Sequence, residues 1–199
     1  MSEIIPLFAK PLYINQLNLD FDDTIKSYGK FIDSGTGIKT NISQRSESVK
    51  ILDDEKLSFL KDVLEGELNE FLQNKLKYTN QFKITTSWIT KSEKGQSSNY
   101  HCHKNSFFSG VLYLKVTPET GEISFEDFNS SAWKCNRKEY NVNNSIEIRI
   151  KPKNGMLLIF PSEVHHAILE NKSDTIRYTL AFNIIPVGEF GEQDSTLVL

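Results

Sequence analysis

All four histidines of the chain fall in two short stretches, Asn99-Tyr-His-Cys-His-Lys-Asn-Ser106 and Phe160-Pro-Ser-Glu-Val-His-His-Ala-Ile168. A lone histidine is ordinarily a satisfied core or surface residue. A His-x-His pair with a further histidine at a distance is a metal-site pattern. On a strand, residues i and i+2 share a face, so His101 and His103 aim together while Cys102 faces away. In the second stretch, alternation puts Val164, His166 and Ile168 on one face and Glu163, His165 and Ala167 on the other. The Val/His/Ile face suits a barrel interior, which makes His166 the third candidate ligand and His165 its outward neighbour. Imidazole serves iron, zinc, copper and nickel alike, so the ligands alone do not name the metal. The bland alternative is a set of buried, hydrogen-bonded histidines holding no ion.

A second chemical feature lies downstream, in Thr175-Ile-Arg-Tyr-Thr-Leu-Ala-Phe-Asn183. Alternation sets Arg177, Thr179, Ala181 and Asn183 on one face, with Ile176, Tyr178, Leu180 and Phe182 on the other. A buried guanidinium must be paired. A ligand carboxylate suits it, because the planar fork holds two oxygens at once. An acid of the same chain is the competing partner.

The elements that must position these residues change character along the chain. After about residue 82, segments 82–91, 99–103, 107–116, 122–125, 146–151, 156–160, 164–170 and 175–185 read as short strands. They are rich in Ile, Val, Thr, Tyr and Phe and are punctuated by Gly, Asn, Ser and Lys-Pro. About eight such strands predict a barrel or a double-sheet jelly roll. Upstream, 54–76 predicts an amphipathic helix, with Leu57, Leu60, Val63, Leu64, Leu68, Phe71, Leu72 and Leu76 at spacings of three and four. A shorter helix is expected over 22–32, capped by Asp22 and carrying Ile25, Tyr28, Phe31 and Ile32, before Gly35 and Gly37 break the pattern. Segment 6–17 reads as extended. The class is mainly β with N-terminal helices packed on one sheet. A single domain is expected over 1–199, with 1–81 as helical support and 82–185 as the β core.

The bulk numbers fit this picture. The chain has 199 residues, 38% hydrophobic and 25% charged, which suits one folded domain. Lys plus Arg is 23 against Asp plus Glu at 26, so there is no basic excess for a nucleic acid. Two cysteines, Cys102 and Cys135, make no disulfide framework and point to a reducing setting. The N-terminal residues read as neither a signal nor a transit peptide. No apolar run approaches the roughly 20 residues that span a bilayer. Membrane and nucleic-acid partners are thus not expected, and a cytoplasmic location is. The oligomeric state is not readable, and a homodimer is compatible with all of this.

Taken together, Trp88, His101-Cys-His-Lys-Asn-Ser-Phe-Phe-Ser-Gly-Val-Leu-Tyr-Leu114, Gly155-Met-Leu-Leu-Ile-Phe-Pro-Ser162, His166 and Arg177-Tyr-Thr-Leu-Ala-Phe-Asn183 resemble the 2-oxoglutarate- and iron(II)-dependent oxygenases. More narrowly, they are similar to a bacterial and phage group related in fold to prolyl 4-hydroxylases. The order and rough spacing agree from about residue 84 to 185. The resemblance implies a double-stranded β-helix, iron(II) as the metal and 2-oxoglutarate as cosubstrate. It implies that His101 and His166 are ligands and that Arg177 binds the far carboxylate of 2-oxoglutarate, assisted by Thr179 and Tyr113. It further implies hydroxylation of a small molecule or a protein side chain.

One position departs from the pattern. The superfamily carries a carboxylate two residues after the first histidine, and here that place is His103. Three neutral ligands leave the iron more positive, and the 2-oxoglutarate dianion would offset that charge. Glu126 or Asp127 is the alternative carboxylate, though neither stands at the family position. Two rival functions remain: a cupin-like three-histidine enzyme that does not use 2-oxoglutarate, and a non-catalytic jelly-roll binding module. Segment 129–145, with Trp133, Lys134, Arg137, Lys138 and Tyr140, reads either as a substrate lid or as a solvated loop.

Overall fold

The computed structural model describes residues 2–26, 30–33, 42–128 and 135–199. Chain order starts with β1 (Tyr13–Gln16), α1 (Asp22–Lys26), β2 (Phe31–Asp33), β3 (Gln44–Ser46) and α2 (Ser58–Leu68). The strands β4 (Gln81–Ser92), β5 (Phe108–Lys115), β6 (Ile123–Glu126), β7 (Glu147–Ile150), β8 (Met156–Pro161), β9 (His165–Ile168) and β10 (Arg177–Val187) follow. A small hairpin of β11 (Glu189–Phe190) and β12 (Leu197–Val198) comes last. No helix among the described residues is long and apolar enough to cross a membrane.

The strands form a large antiparallel sheet in the order β1-β8-β5-β10-β4-β3-β2 and a smaller one in the order β7-β6-β9. From β4 onward the chain alternates between them. β4 lies in the large sheet, the His101 bridge extends the small one, and β5 returns to the large one. Then β6 and β7 are small-sheet strands, β8 large, β9 small and β10 large. This winding is the double-stranded β-helix, and it stacks β10 and β4 over β9 and the His101 segment.

Alternation divides the large sheet into two faces. Leu112, Leu114, Leu157, Ile159, Leu180, Phe182 and Ile184 pack outward against Leu60, Leu64, Leu68, Phe71 and Leu72 of the helical layer. Val111, Tyr113, Leu158 and Phe160 face inward, toward Ile123 and Phe125 of the small sheet. Gly110 sits where its neighbour needs the space, since a Cβ there would fall 2.2 Å from the Phe182 ring.

The long helix is built in stages. A 3-10 turn at Glu55–Leu57, capped by the Asp54 side chain accepting from Lys56 N–H, leads into α2, and a π-helical segment Asn69–Lys75 follows. The wider turn keeps both Phe71 and Leu72 in the core.

The helix expected over 22–32 is shorter than its apolar spacing suggested. Its described part is Asp22–Lys26, and Phe31–Asp33 is instead a strand paired with β3. Five residues make a marginal helix, so tertiary pairing decides the rest. Phe31 packs its ring 6.1 Å from that of Tyr178. The side chain that receives an N–H at the helix start is Asp20, bonded to Asp22 N–H at 3.0 Å. Tyr28, Gly35 and Gly37 lie outside the described residues. The extended reading of 6–17 meets β1, hydrogen-bonded to β8.

Candidate metal centre

His101 lies outside any regular strand, yet its backbone is locked to β9. Its N–H donates to the His166 carbonyl at 3.0 Å, and His166 N–H donates back at 2.9 Å. His103 is held through its backbone N–H, which donates to the Ser162 carbonyl at 2.9 Å. These anchors bring one ring nitrogen from each of His101, His103 and His166 within 4.8 Å of the others. Among the described residues, no other group of three or more His, Cys, Asp and Glu side chains converges in this way.

The rings are oriented from behind. His101 Nδ1 lies 2.9 Å from the Asn99 carbonyl and His166 Nδ1 lies 3.0 Å from the Val164 carbonyl. A proton on Nδ1 satisfies each carbonyl and leaves Nε2 as a lone-pair donor, the usual way a protein aims a metal-ligating imidazole. His103 Nε2 and His166 Nε2 approach to 3.3 Å. Trp88 stands 5.8 Å from the His103 ring, and Phe160 packs 4.7 Å from His166.

Burial, reinforced by the neighbouring His101, lowers the His103 pKa from 6.5 to about 4. The same two causes lower His166 to about 3. Both are therefore neutral, the form that binds metal. An unfolded chain takes up these protons near pH 6.5, before the folded chain does. The metal-free protein is thus expected to keep its full stability above pH 6.5 and to lose it as the pH falls through 6.5 toward 4. Thermal unfolding at pH 7.0, 5.5 and 4.5 checks this, and a flat profile contradicts it.

His165 turns outward, its ring 4.6 Å from that of Phe128. Glu126 is paired opposite His165 on the same outward row, so its register carries it away from the convergent nitrogens. Neither Glu126 nor Asp127 joins the cluster.

Arg177 opens β10 on the inward face, opposite Ser92. It is 1% exposed. Nη1 donates to the carbonyls of Thr120 and Leu169. Nη2 is buried without a partner, and so is the hydroxyl of Tyr113. Tyr113 lies directly across from Thr179, which is also buried. Burial lowers the Arg177 pKa from 12.5 to about 10 and raises that of Tyr113. Among the described residues, no carboxylate forms an ion pair with this guanidinium. Two orphaned buried donors on one face are costly. A ligand carboxylate satisfies both, so these residues fit the far end of a dicarboxylate.

Sequence reasoning did not find the cradle beneath Arg177. The turn Thr117–Thr120 and the Leu169 carbonyl supply it, and Gly121 makes it possible. Gly121 has φ +87°, and a Cβ there would sit 2.1 Å from the Leu169 carbonyl oxygen, itself an acceptor of the guanidinium. The signal available was the Thr-x-x-Thr-Gly turn between two strands.

Of the expected lid over 129–145, Trp133 and Lys134 lie outside the described residues. Arg137 sits over the exposed Tyr140 ring, 5.6 Å from its centroid.

Residues 86–183 match the family described as "Putative 2OG-Fe(II) oxygenase". Over that segment, which holds every candidate ligand, the chain is similar to the 2-oxoglutarate- and iron(II)-dependent oxygenases. No curated protein sequence matches it.

Solved structures with a similar fold include a Pseudomonas putida prolyl-4-hydroxylase. It is 16% identical, with 86% of this chain and 91% of that chain covered and a TM-score of 0.58. A viral collagen prolyl hydroxylase from Paramecium bursaria Chlorella virus-1, solved with 2-oxoglutarate, is 18% identical, covering 87% and 94% at a TM-score of 0.58. HygX from Streptomyces hygroscopicus, solved with nickel, 2-oxoglutarate and hygromycin B, is 10% identical, covering 89% and 83% at 0.61. At these identities the likeness is one of fold.

Proposed function

We propose that this oxygenase holds iron(II) on His101, His103 and His166, binds 2-oxoglutarate through Arg177 with Thr179 and Tyr113, and hydroxylates a small molecule or a protein side chain. The observation that carries the reading is the pairing of two features on one inward surface. Three convergent imidazoles share the inward face with a buried guanidinium and a buried phenol, each of which keeps a donor without a partner. A cupin-like enzyme without 2-oxoglutarate has no use for the second feature, and a structural metal site has no use for either orphan.

The chain's own groups divide the work. The Asn99 and Val164 carbonyls hold two ligand rings in orientation. Arg177 fixes one end of the cosubstrate by charge and by geometry. Phe125, Phe160, Val111 and Leu158 keep water from the inner side. Bound there, iron(II) and 2-oxoglutarate supply dioxygen activation coupled to release of succinate and carbon dioxide. Free Cys102 and Cys135 agree with a cytoplasmic setting.

Anaerobic titration with iron(II), followed by 2-oxoglutarate, tests the reading. The expected result is one iron per chain and a visible absorption change that needs both additions. Iron uptake with no response to 2-oxoglutarate favours the cupin-like alternative. Failure to bind iron refutes the metal site.

A further inference from the structure

One row of side chains on the inward face has no part in the roles assigned so far. Thr86 on β4, Asn183 on β10 and Ser109 on β5 stand opposite one another across three strands. They are linked: Asn183 Nδ2 donates to Thr86 Oγ1 at 3.0 Å, and Ser109 Oγ donates to Asn183 Oδ1 at 2.9 Å. The chain continues through Ser162 Oγ, 2.7 Å from Ser109 Oγ, to Ser106 Oγ at 2.9 Å. Ser109 and Ser162 are buried. Ser162 also receives the His103 backbone N–H. The inner end of this chain is therefore fixed, and it is fixed to a candidate ligand.

The outer end is different. Thr86 and Asn183 are half-exposed. Each keeps one donor hydrogen with no acceptor among the described residues, the hydroxyl of Thr86 and the second amide hydrogen of Asn183.

Register orders the sites along the barrel. From the closed end, the inward rows are Ser92–Arg177, then Thr90–Thr179–Tyr113, then Trp88–Ala181–Val111, then Thr86–Asn183–Ser109. Successive rows are about 7 Å apart, two strand residues. The Trp88 row is level with the histidines, because its ring stands 5.8 Å from His103. Arg177 lies on one side of the histidines, and the Thr86–Asn183 pair lies on the other.

Among the described residues of these three strands, the two rows beyond Thr179 carry no charged side chain. An ionic group entering there gives up part of its hydration and meets no counter-charge from these rows. Two adjacent donors and a flat indole suit a carbonyl oxygen with an apolar portion beside it.

We infer that Thr86 and Asn183 bind the carbonyl oxygen of an uncharged, amide-bearing substrate group, with Trp88 as the wall along which its apolar part lies. The assignment rests on the oxygenase reading above and deepens it. The Ser109–Ser162–Ser106 chain is the rigid backing that keeps the amide of Asn183 turned to the chamber.

The test uses protein loaded with manganese(II) and 2-oxoglutarate, whose paramagnetism broadens the proton lines of anything bound nearby. The probes are N-acetylalanine N-methylamide and its lysine and glutamate counterparts. Saturable broadening is expected for the neutral probe and at least about five-fold less for the charged ones. Thr86→Val and Asn183→Leu should each weaken the neutral probe about tenfold, the loss of one well-made hydrogen bond to a buried acceptor. Manganese and 2-oxoglutarate affinities should stay unchanged. Thr86→Val alters only the outer end of the chain, so it decides the matter if Asn183→Leu fails to fold. The inference is overturned if neither variant weakens the probe, if a charged probe binds as well, or if the loaded wild type binds none. A wild type that takes up neither manganese nor 2-oxoglutarate overturns the oxygenase reading itself, and this assignment with it.

Discussion

Arg177→Met is expected to abolish measurable 2-oxoglutarate binding while making the metal-free protein more stable. The two effects have opposite signs because the guanidinium is buried for a ligand rather than for the fold. Its pKa falls from 12.5 to about 10 on burial. A base whose folded pKa is depressed costs stability at every pH below that folded value, so the cost is fully present at neutral pH. The size is roughly 3 kcal/mol. Methionine fills similar volume without the charge, and it gives up the hydrogen bonds to Thr120 and Leu169. A net gain of about 1–3 kcal/mol in the apo protein follows, in line with other replacements of buried ions by apolar residues. Against 2-oxoglutarate the same change removes a buried, charge-assisted partner, a loss of about a hundredfold or more in affinity. Denaturant titration and calorimetry check the two halves separately. A destabilised variant, or one that binds 2-oxoglutarate normally, contradicts the role.

The second large effect concerns residue 103. His103→Ala, like His101→Ala and His166→Ala, should lower iron(II) affinity by at least about a hundredfold, at or beyond the loss seen when only a supporting partner is removed. Glu126→Gln should leave it unchanged, since that carboxylate is turned outward. The reverse pattern, with His103→Ala binding iron fully and Glu126→Gln not, removes His103 from the ligand set. His103→Asp restores two histidines and one carboxylate, with a shorter reach. It should bind iron and turn over poorly. Succinate released without any other substrate measures how far its turnover is uncoupled.

Much of this arrangement was legible in the residues. The alternation in Val164-His165-His166-Ala167-Ile168 separated the inward histidine from the outward one, because a strand with one buried face leaves no other choice. The same rule set Arg177, Thr179, Ala181 and Asn183 on one face. The expected strands after residue 82 appear within a residue or two, except that 99–103 contributes only a single bridge at His101. That segment pairs where His101 meets His166 and then bends toward Ser162, so its ladder is too short to register as a strand. β2 and β3 escaped notice because three-residue edge strands carry no periodicity of their own. Their partner, β4, supplies the order. The carbonyl cradle of Arg177 and the hydroxyl chain behind Asn183 were also hidden. Both depend on residues far apart in sequence, and backbone carbonyls leave no mark on composition.

The sheet topology has a consequence for how the chain is made. β10 is the seam of the large sheet: β1, β8 and β5 lie on one side of it, and β4, β3 and β2 on the other. It is also the last of the seven to be synthesised. Until residue 187 has left the ribosome, the two halves share no hydrogen bond, and the apolar side chains of β4 and β5 wait for a common neighbour. β1 meanwhile waits for β8, with Tyr13 paired to Ile159. Pairings this distant in sequence place the chain among the slower folders.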